Sequence, residues 1–264
     1  MSNELELKQT IKQGDGNIQI GVQHNYGLTV TQVSEMAFEI FRQYYPKLQD
    51  ELLKKLRIEV EEILGKIPAE RIVPPNARIT VPALQNASIT EEDNVRVLYA
   101  RLLANSMDKV AKDGVHPAFI EIIKQLNSDE AKLLPYLYYN QKIPVITVRA
   151  TNEKREGVDE LKNFSLAGFQ CGCEIPLNIA TYFDNFVRLG VLVKQTFSSL
   201  VNKDLYSPLK EYDYIQNIIK RIESRPDEYI IPDFEESYYE ITNFGRAFCE
   251  SCVIDIIHIT VNNG

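Results

Sequence analysis

Four cysteines fall in two pairs, Cys171-Gly172-Cys173 and Cys249-Glu250-Ser251-Cys252, and four thiolates are what a tetrahedral zinc ion takes. The spacing speaks against that use. A single residue separates the first pair, too tight for a zinc knuckle, and the second pair stands at the repeat of a helix face. Small buried hydrophobes are the plainer reading, held reduced in a chain that shows no export signal. The three histidines, His24, His116 and His258, are scattered and none has metalloprotease spacing; His116 before Pro117 reads as a helix-start residue. Glu130-Ala131-Lys132 echoes the acid-x-lysine half of some nuclease sites, and Asp233, Glu235 and Glu236 form an acidic cluster. Neither has its complement at a useful distance, so both are expected on a solvated surface. Gly14-Asp15-Gly16 has no Lys-Ser or Lys-Thr helix start behind it, which removes a phosphate loop. No catalytic residue, no metal ligand and no cofactor follow from these patterns, and the chain is not expected to be an enzyme.

A different chemistry is written near the amino end. Leu5, Leu7 and Ile11 share one parity, Gly14-Asp15-Gly16 supplies a turn, and Asn17-Ile18-Gln19-Ile20-Gly21-Val22-Gln23 alternates again, which reads as a β-hairpin. Ile18, Ile20 and Val22 lie on one face and Gln19 and Gln23 on the other. β-Branched residues interdigitate between stacked sheets, and glutamine amides ladder along them. From Asn17 to Asn25 there is neither proline nor, with His24 neutral, any charge to interrupt such stacking. Asn17, Ile18, Gln19, Ile20, Gly21, Val22 and Asn25 are therefore the candidate binding residues for assembly with a second copy, or with another protein carrying a matching β motif. A hairpin docked on its own domain, or a free tail, is the alternative.

The rest of the chain must present this segment. Its 264 residues carry 44% hydrophobic and 25% charged side chains, an ordinary globular balance. A net charge of -8 with a pI near 5.1 repels a phosphate backbone, so a nucleic-acid partner is not expected. No apolar run approaches the roughly 18 residues of a membrane span. With no basic-then-apolar leader, the cytoplasm is the expected location. Leu28-Thr29-Val30-Thr31-Gln32-Val33 is a helix start, with Thr29 as cap, Gln32 reaching back and Leu28 set to pack on Val33. The helix it opens repeats Val33, Met36, Ala37, Ile40, Phe41 and Tyr44, and Pro46 ends it. A second helix repeats Leu48, Leu52, Leu56, Val60, Ile63 and Leu64 up to Gly65, and the two are expected to form a helical hairpin. Pro68, Pro74, Pro75 and Pro82 then predict a non-helical connector.

Thr90 to Asp93 opens a helix through Leu98, Leu102 and Met107 to about Gly114; Pro117 opens a short one, and Ser128-Asp129-Glu130 caps another, kinked or cut short at Pro135. Farther on, Ile143 to Val148 reads as a strand and Thr151 to Asp159 as a charged loop. Pro176 to Arg188 reads as a helix with Leu177, Ala180, Phe183 and Val187 in line. Leu189-Gly190 and the strand-like Val191 to Val193 follow it. Tyr238 to Ile241 gives a further strand and Thr242 to Phe248 leads into a last helix. That order is similar to a winged helix, apart from an insert of residues 194–237. A winged helix ordinarily binds DNA, but the helix before the wing offers only Arg188 against Asp184 and nearby Glu174, which favours a protein partner.

Two resemblances add to this. Ile18-Gln19-Ile20-Gly21 resembles the core of the RIP homotypic interaction motif, an amyloid-forming signalling element. The longer string from Asn17 through Asn25-Tyr26-Gly27-Leu28-Thr29 is similar to a leader found ahead of helical modules in bacterial anti-phage proteins. Ile72-Val73-Pro74-Pro75, Val81-Pro82-Ala83-Leu84, Leu102 to Asp108, His116-Pro117-Ala118-Phe119 and Ile122 to Ala131 resemble the Abi-alpha family. That resemblance implies a setting, abortive phage infection, and supplies no catalytic residues. The expected class is mainly α, divided into a β-hairpin assembly segment (1–28), a helical hairpin (29–67), an Abi-alpha-like helical domain (68–140) and a winged-helix-like α+β domain (141–264). The expected role is anti-phage defence by protein-protein interaction, as a homo-oligomer. A winged-helix transcriptional regulator and an unrecognised nuclease or toxic effector are the alternatives.

Overall fold

The computed structural model describes residues 28–44, 51–196, 198–226 and 228–255. The expected amino-terminal hairpin lies outside them. The chain is mainly helical, and the described residues also form a four-stranded antiparallel sheet.

Helix α1 (Val30–Tyr44) starts where the capping pattern placed it: Thr29 N–H donates to Gln32 Oε1 at 2.9 Å, and Gln32 N–H donates to Thr29 Oγ1 at 3.2 Å. Its buried stripe is rotated from the expected one, with Val33, Ala37, Phe38 and Phe41 inward and Met36 and Ile40 only half-buried. Helix α2 (Glu51–Leu64) buries Leu53, Leu56, Val60 and Leu64 and stops at Gly65. Helix α1 packs on α3 (Ala77–Ala87) as well as on α2.

The existence of α3 corrects the expectation of a connector up to Pro82. Asn76 caps it by accepting from Arg78 N–H at 3.0 Å, and Pro82 sits inside it. A proline within a helix costs about 3 kcal/mol. Burying Ile79, Ala83, Leu84 and Ala87 offsets that, at roughly 1.5–3 kcal/mol for each large aliphatic side chain. Pro135 is carried in the same way inside α6 (Ser128–Asn140), which runs five residues beyond it rather than ending early.

Helix α4 (Asp93–Ser106) is the most enclosed, with Leu98, Tyr99, Leu102 and Leu103 all inside the core. It ends at Ser106, short of the expected Gly114, because the chain there turns to meet the 70s. Lys109 N–H donates to Arg71 O at 2.7 Å, Val73 N–H to Met107 O at 2.9 Å, and Arg71 Nε to Asp108 Oδ1 at 2.9 Å, with a second guanidinium bond to Oδ2. The Ile72-Val73 and Met107-Asp108 motifs thus form one clasp. Helix α5 (Ala118–Ile123) follows, with Phe119, Ile120 and Ile123 buried.

Strands β1 (Lys142–Thr151), β2 (Gly157–Phe164), β3 (Leu192–Gln195) and β4 (Ile231–Ile241) lie in the order β2-β1-β4-β3. Val145 faces Ser237, and Leu192 faces Ile241. The expected charged loop is shorter than its charges suggested. Asn152 accepts from Lys154 N–H and Glu156 N–H and folds the turn, and β2 begins at Gly157, where any Cβ would stand 2.1 Å from Ala150 O. Alternation sends Ile143, Val145, Tyr239 and Ile241 into the helical core. Ile146, Val148, Ala150 and Phe164 enter a second core with α9 (Ser207–Lys210) and α10 (Asp213–Glu223). The insert 194–237 therefore both builds and covers the sheet: its last residues start β4 at Ile231, seven residues before the expected Tyr238, and its helices α9 and α10 cover one face. Short α7 (Ala167–Gln170), then α8 (Ile179–Arg188), and finally α11 (Asn243–Cys252) complete the helices; Thr242 caps α11 by accepting from Gly245 N–H at 2.8 Å.

Candidate functional site

The junction of α6 and α8 gathers more side-chain chemistry than any other region described. Asn127 caps α6, accepting from Glu130 N–H at 2.9 Å while Glu130 Oε2 accepts from Asn127 N–H at 2.8 Å, so the cap lies one residue before the expected Ser128. This box fixes the directions of Asp129 and Glu130.

Asp129 reaches across to the turn ahead of α8. Its carboxylate accepts from Glu174 N–H at 2.8 Å, Ile175 N–H at 3.0 Å, Tyr182 Oη at 2.9 Å and Lys132 Nζ at 3.1 Å. Burial alone would raise its pKa, but the donated hydrogen bonds outweigh burial and hold it down to about 2. Glu130 completes the joint, accepting from Asn185 Nδ2 at 2.7 Å. Burial wins at this second carboxyl and raises its pKa. The expectation of a solvated Glu130-Ala131-Lys132 is corrected: Asp129 and Glu130 are 6% and 4% exposed, because α8 closes over them.

Beside this joint lies a shallow groove of about 610 Å3, open to solvent, between the α5–α6 turn and the last turn of α8. Its cations are Lys124 and Arg188 and its acids Glu130 and Asp184. Arg188 donates to Asn185 Oδ1 and, at 2.7 Å, to Gln125 Oε1, while Lys124 pairs with Glu121 at 3.8 Å. The outer face of α8 differs from its expected stripe. Ile179, Tyr182, Phe183 and Phe186 point inward, whereas Leu177 and Val187 are 43% and 39% exposed. A 3-10 turn over Pro176–Asn178 shifts the register so that the i, i+3, i+4, i+7 stripe begins at Ile179. Val191, directly behind α8, is approached so closely by Gly245 that a Cβ there would lie 2.2 Å from Val191 O, which fixes α11 against the start of β3.

The other residues singled out by type are placed as follows. Cys173, Cys249 and Cys252 are buried and Cys171 partly so; burial pushes the thiols of Cys171 and Cys173 up to about 11 and that of Cys249 to about 12, so thiolate chemistry is suppressed. Among the described residues no group of three or more His, Cys, Asp or Glu is set to hold a metal ion. His116 Nδ1 accepts from Ala118 N–H at 3.1 Å at the start of α5, and its ring packs against Phe119 and Phe244. In the acidic cluster Glu236 is not a free surface acid, since Lys203 and Lys210 both bind it, at 2.6 and 2.7 Å. Asn17, Ile18, Gln19, Ile20, Gly21, Val22 and Asn25, with His24 and His258, lie outside the described residues. Sequence reasoning missed Tyr182 and Asn185, whose partners stand 53 and 55 residues away along the chain. Asp129 is saturated by four donors, three of them from the turn ahead of α8 and from α8 itself, and Glu130 accepts one bond from its own cap and one from Asn185 of α8, so the two carboxylates brace α8 against α6.

Among the described residues no helix is long and apolar enough to cross a membrane. None of the curated proteins compared matches the chain. One solved structure, of an uncharacterized protein from the hydrocarbon-degrading marine bacterium Alcanivorax borkumensis SK2, matches at 17% identity, over 50% of this chain and 89% of that one, with a TM-score of 0.34. The family model described as "Abortive infection alpha" matches residues 47–252, which takes in the Arg71–Asp108 clasp, the α6–α8 joint and the sheet. By that match the chain belongs to the abortive infection alpha family.

Proposed function

We propose that this protein serves abortive phage infection as a non-enzymatic component in the cytoplasm that works by binding other proteins, with Asn17 to Asn25 joining copies of the chain, or a matching strand on a partner, through β pairing. The observation that carries the reading is the position of that uncharged, alternating string directly ahead of a helix whose start is fixed by the Thr29–Gln32 bonds. The family supplies the setting. Support for protein binding rather than catalysis comes from the α6–α8 joint, whose carboxylates brace α8, and from the exposed side chains of Val187 on α8 and Leu177 in the turn ahead of it. Ile20→Asp places a charge in the dry face of any zipper. Thioflavin binding and sedimentation of the wild type should show assembly that the variant lacks; indistinguishable behaviour of the two would sink the reading.

A DNA-binding regulator is the second reading, favoured by one arrangement: α8 leads through Leu189-Gly190 into β3, which pairs with β4 as the wing of a winged helix would. Charge weighs against it, because the groove beside α8 sets two acids against two cations. A mobility-shift titration at moderate salt separates the readings. The leading one expects no retarded band, and a retarded band abolished by Arg188→Glu would replace it with the second.

A further inference from the structure

We propose that the surface formed by α2 and α3 is a helix-receiving groove, filled within the chain by α1, and that it accepts the α1 of a second copy in exchange. Helix α1 meets this surface with a narrow apolar stripe, Val33, Ala37, Phe38 and Phe41, each no more than 5% exposed. Counted from the buried Ser34, residues 37, 38 and 41 stand at i+3, i+4 and i+7, the spacing by which an amphipathic helix anchors in a groove. The groove and its occupant have different standing in the chain: α2 and α3 lie within residues 47–252 of the family match, and α1 precedes it.

The seam is also incompletely satisfied. Ser34 Oγ on α1 is buried with no hydrogen-bond partner, as is Thr80 Oγ1 on α3, so separation returns the Ser34 hydroxyl to water and offsets part of the lost apolar burial. At the rim, Arg57 of α2 holds α1 by a half-exposed clip, 3.5 Å from Glu35 and over the ring of Phe38 at 5.9 Å. A clip of this kind contributes little and exchanges readily. The occupant the groove selects is thus an amphipathic helix with two aromatic anchors and an acid opposite Arg57, which is what another copy of α1 presents.

The test uses the full chain and a fluorescent peptide of residues 28–44. Phe41→Asp in the full chain should release its own α1 and leave the groove empty. The peptide is then expected to bind this variant saturably and at least about tenfold more tightly than the wild type, where the internal helix competes at high effective concentration. A peptide carrying Glu35→Lys should bind the variant roughly two- to fivefold more weakly, since it meets Arg57 with like charge. Hydrogen exchange on the same variant should leave the amides of α4 and α6 at wild-type protection. Absence of saturable binding, equal binding to variant and wild type, or loss of protection in α4 and α6 would each overturn the proposal, the last by showing that α1 is part of the body's own core.

Discussion

Asp129 at the α6–α8 joint and Arg96 on α4 are both charged and both nearly withdrawn from water, 6% and 2% exposed, yet they are settled in opposite ways. Asp129 meets donors from two backbone N–H groups, a tyrosine and a lysine. Arg96 reaches Glu59 of α2 and Asp93 through one nitrogen, leaving its Nε and Nη1 and the Oε2 of Glu59 buried without partners. With Ser34 and Thr80, these account for most of the described side-chain atoms buried and unpartnered, and they lie on α1 to α4. The difference teaches where the molecule can give. A saturated network locks one geometry, while an unsaturated one makes separation less costly.

Removing the strong centre should therefore do the most damage. Asp129→Ala leaves the amides of Glu174 and Ile175 without their acceptor and the hydroxyl of Tyr182 with only the long bond to Ile175 O, and a loss of about 3 kcal/mol is expected in urea denaturation. A loss below about 1 kcal/mol would end the contrast between the two regions.

The same residue sets an acid limit on stability. Its folded pKa of about 2 lies below the ordinary aspartate value, so the stabilisation is complete above pH ~4 and disappears as pH falls through about 2. Between those values the wild type should lose on the order of 2 kcal/mol that Asp129→Asn does not lose, read from denaturation midpoints at each pH.

At the unsaturated Arg96–Glu59 pair, which joins α4 to α2, two substitutions should oppose one another. Arg96→Met strands the Glu59 carboxylate at a half-buried position and is expected to cost about 2 kcal/mol. Adding Glu59→Leu removes the stranded charge and should recover that loss, or exceed it by about 1 kcal/mol. Strictly additive losses in a double-mutant cycle would show that the two side chains do not act as a pair, and a double variant no more stable than Arg96→Met alone would show that Glu59 is not a stranded charge there.

Local rules read from sequence held where the interactions are local. The Thr29–Gln32 box, the strand at β1 and the apolar repeat of α4 are each settled within a few residues, and the structure forms them. Pro82 misled because local propensity was outweighed by burial of the α3 face, and the stripe of α8 slipped because a 3-10 turn displaced its first residue. The second core was obscured by treating residues 194–237 as an insert, although Ile215, Ile218 and Ile222 repeat at helical spacing. The α6–α8 joint was not legible at all. Its acids meet donors 45 to 55 residues away, and nothing near Asp129 announces Glu174, Tyr182 or Asn185. The candidate assembly strand stands apart from these comparisons, since it lies outside the described residues.

The smallest change probes the seam most directly. Ser34 is wholly buried on α1, and its Oγ has no partner, so the folded state carries a desolvated hydroxyl that water would satisfy in the opened one. Ser34→Ala removes the hydroxyl and improves the helix propensity of its position, each change worth a few tenths of a kcal/mol or more. A gain of about 0.5–1 kcal/mol in the free energy of opening is expected, seen as slower hydrogen exchange in α1 than in the wild type, with the amides of α6 unchanged. Were the two sets of amides slowed alike, α1 would open only with the whole molecule, and the seam would be no softer than the joint at Asp129.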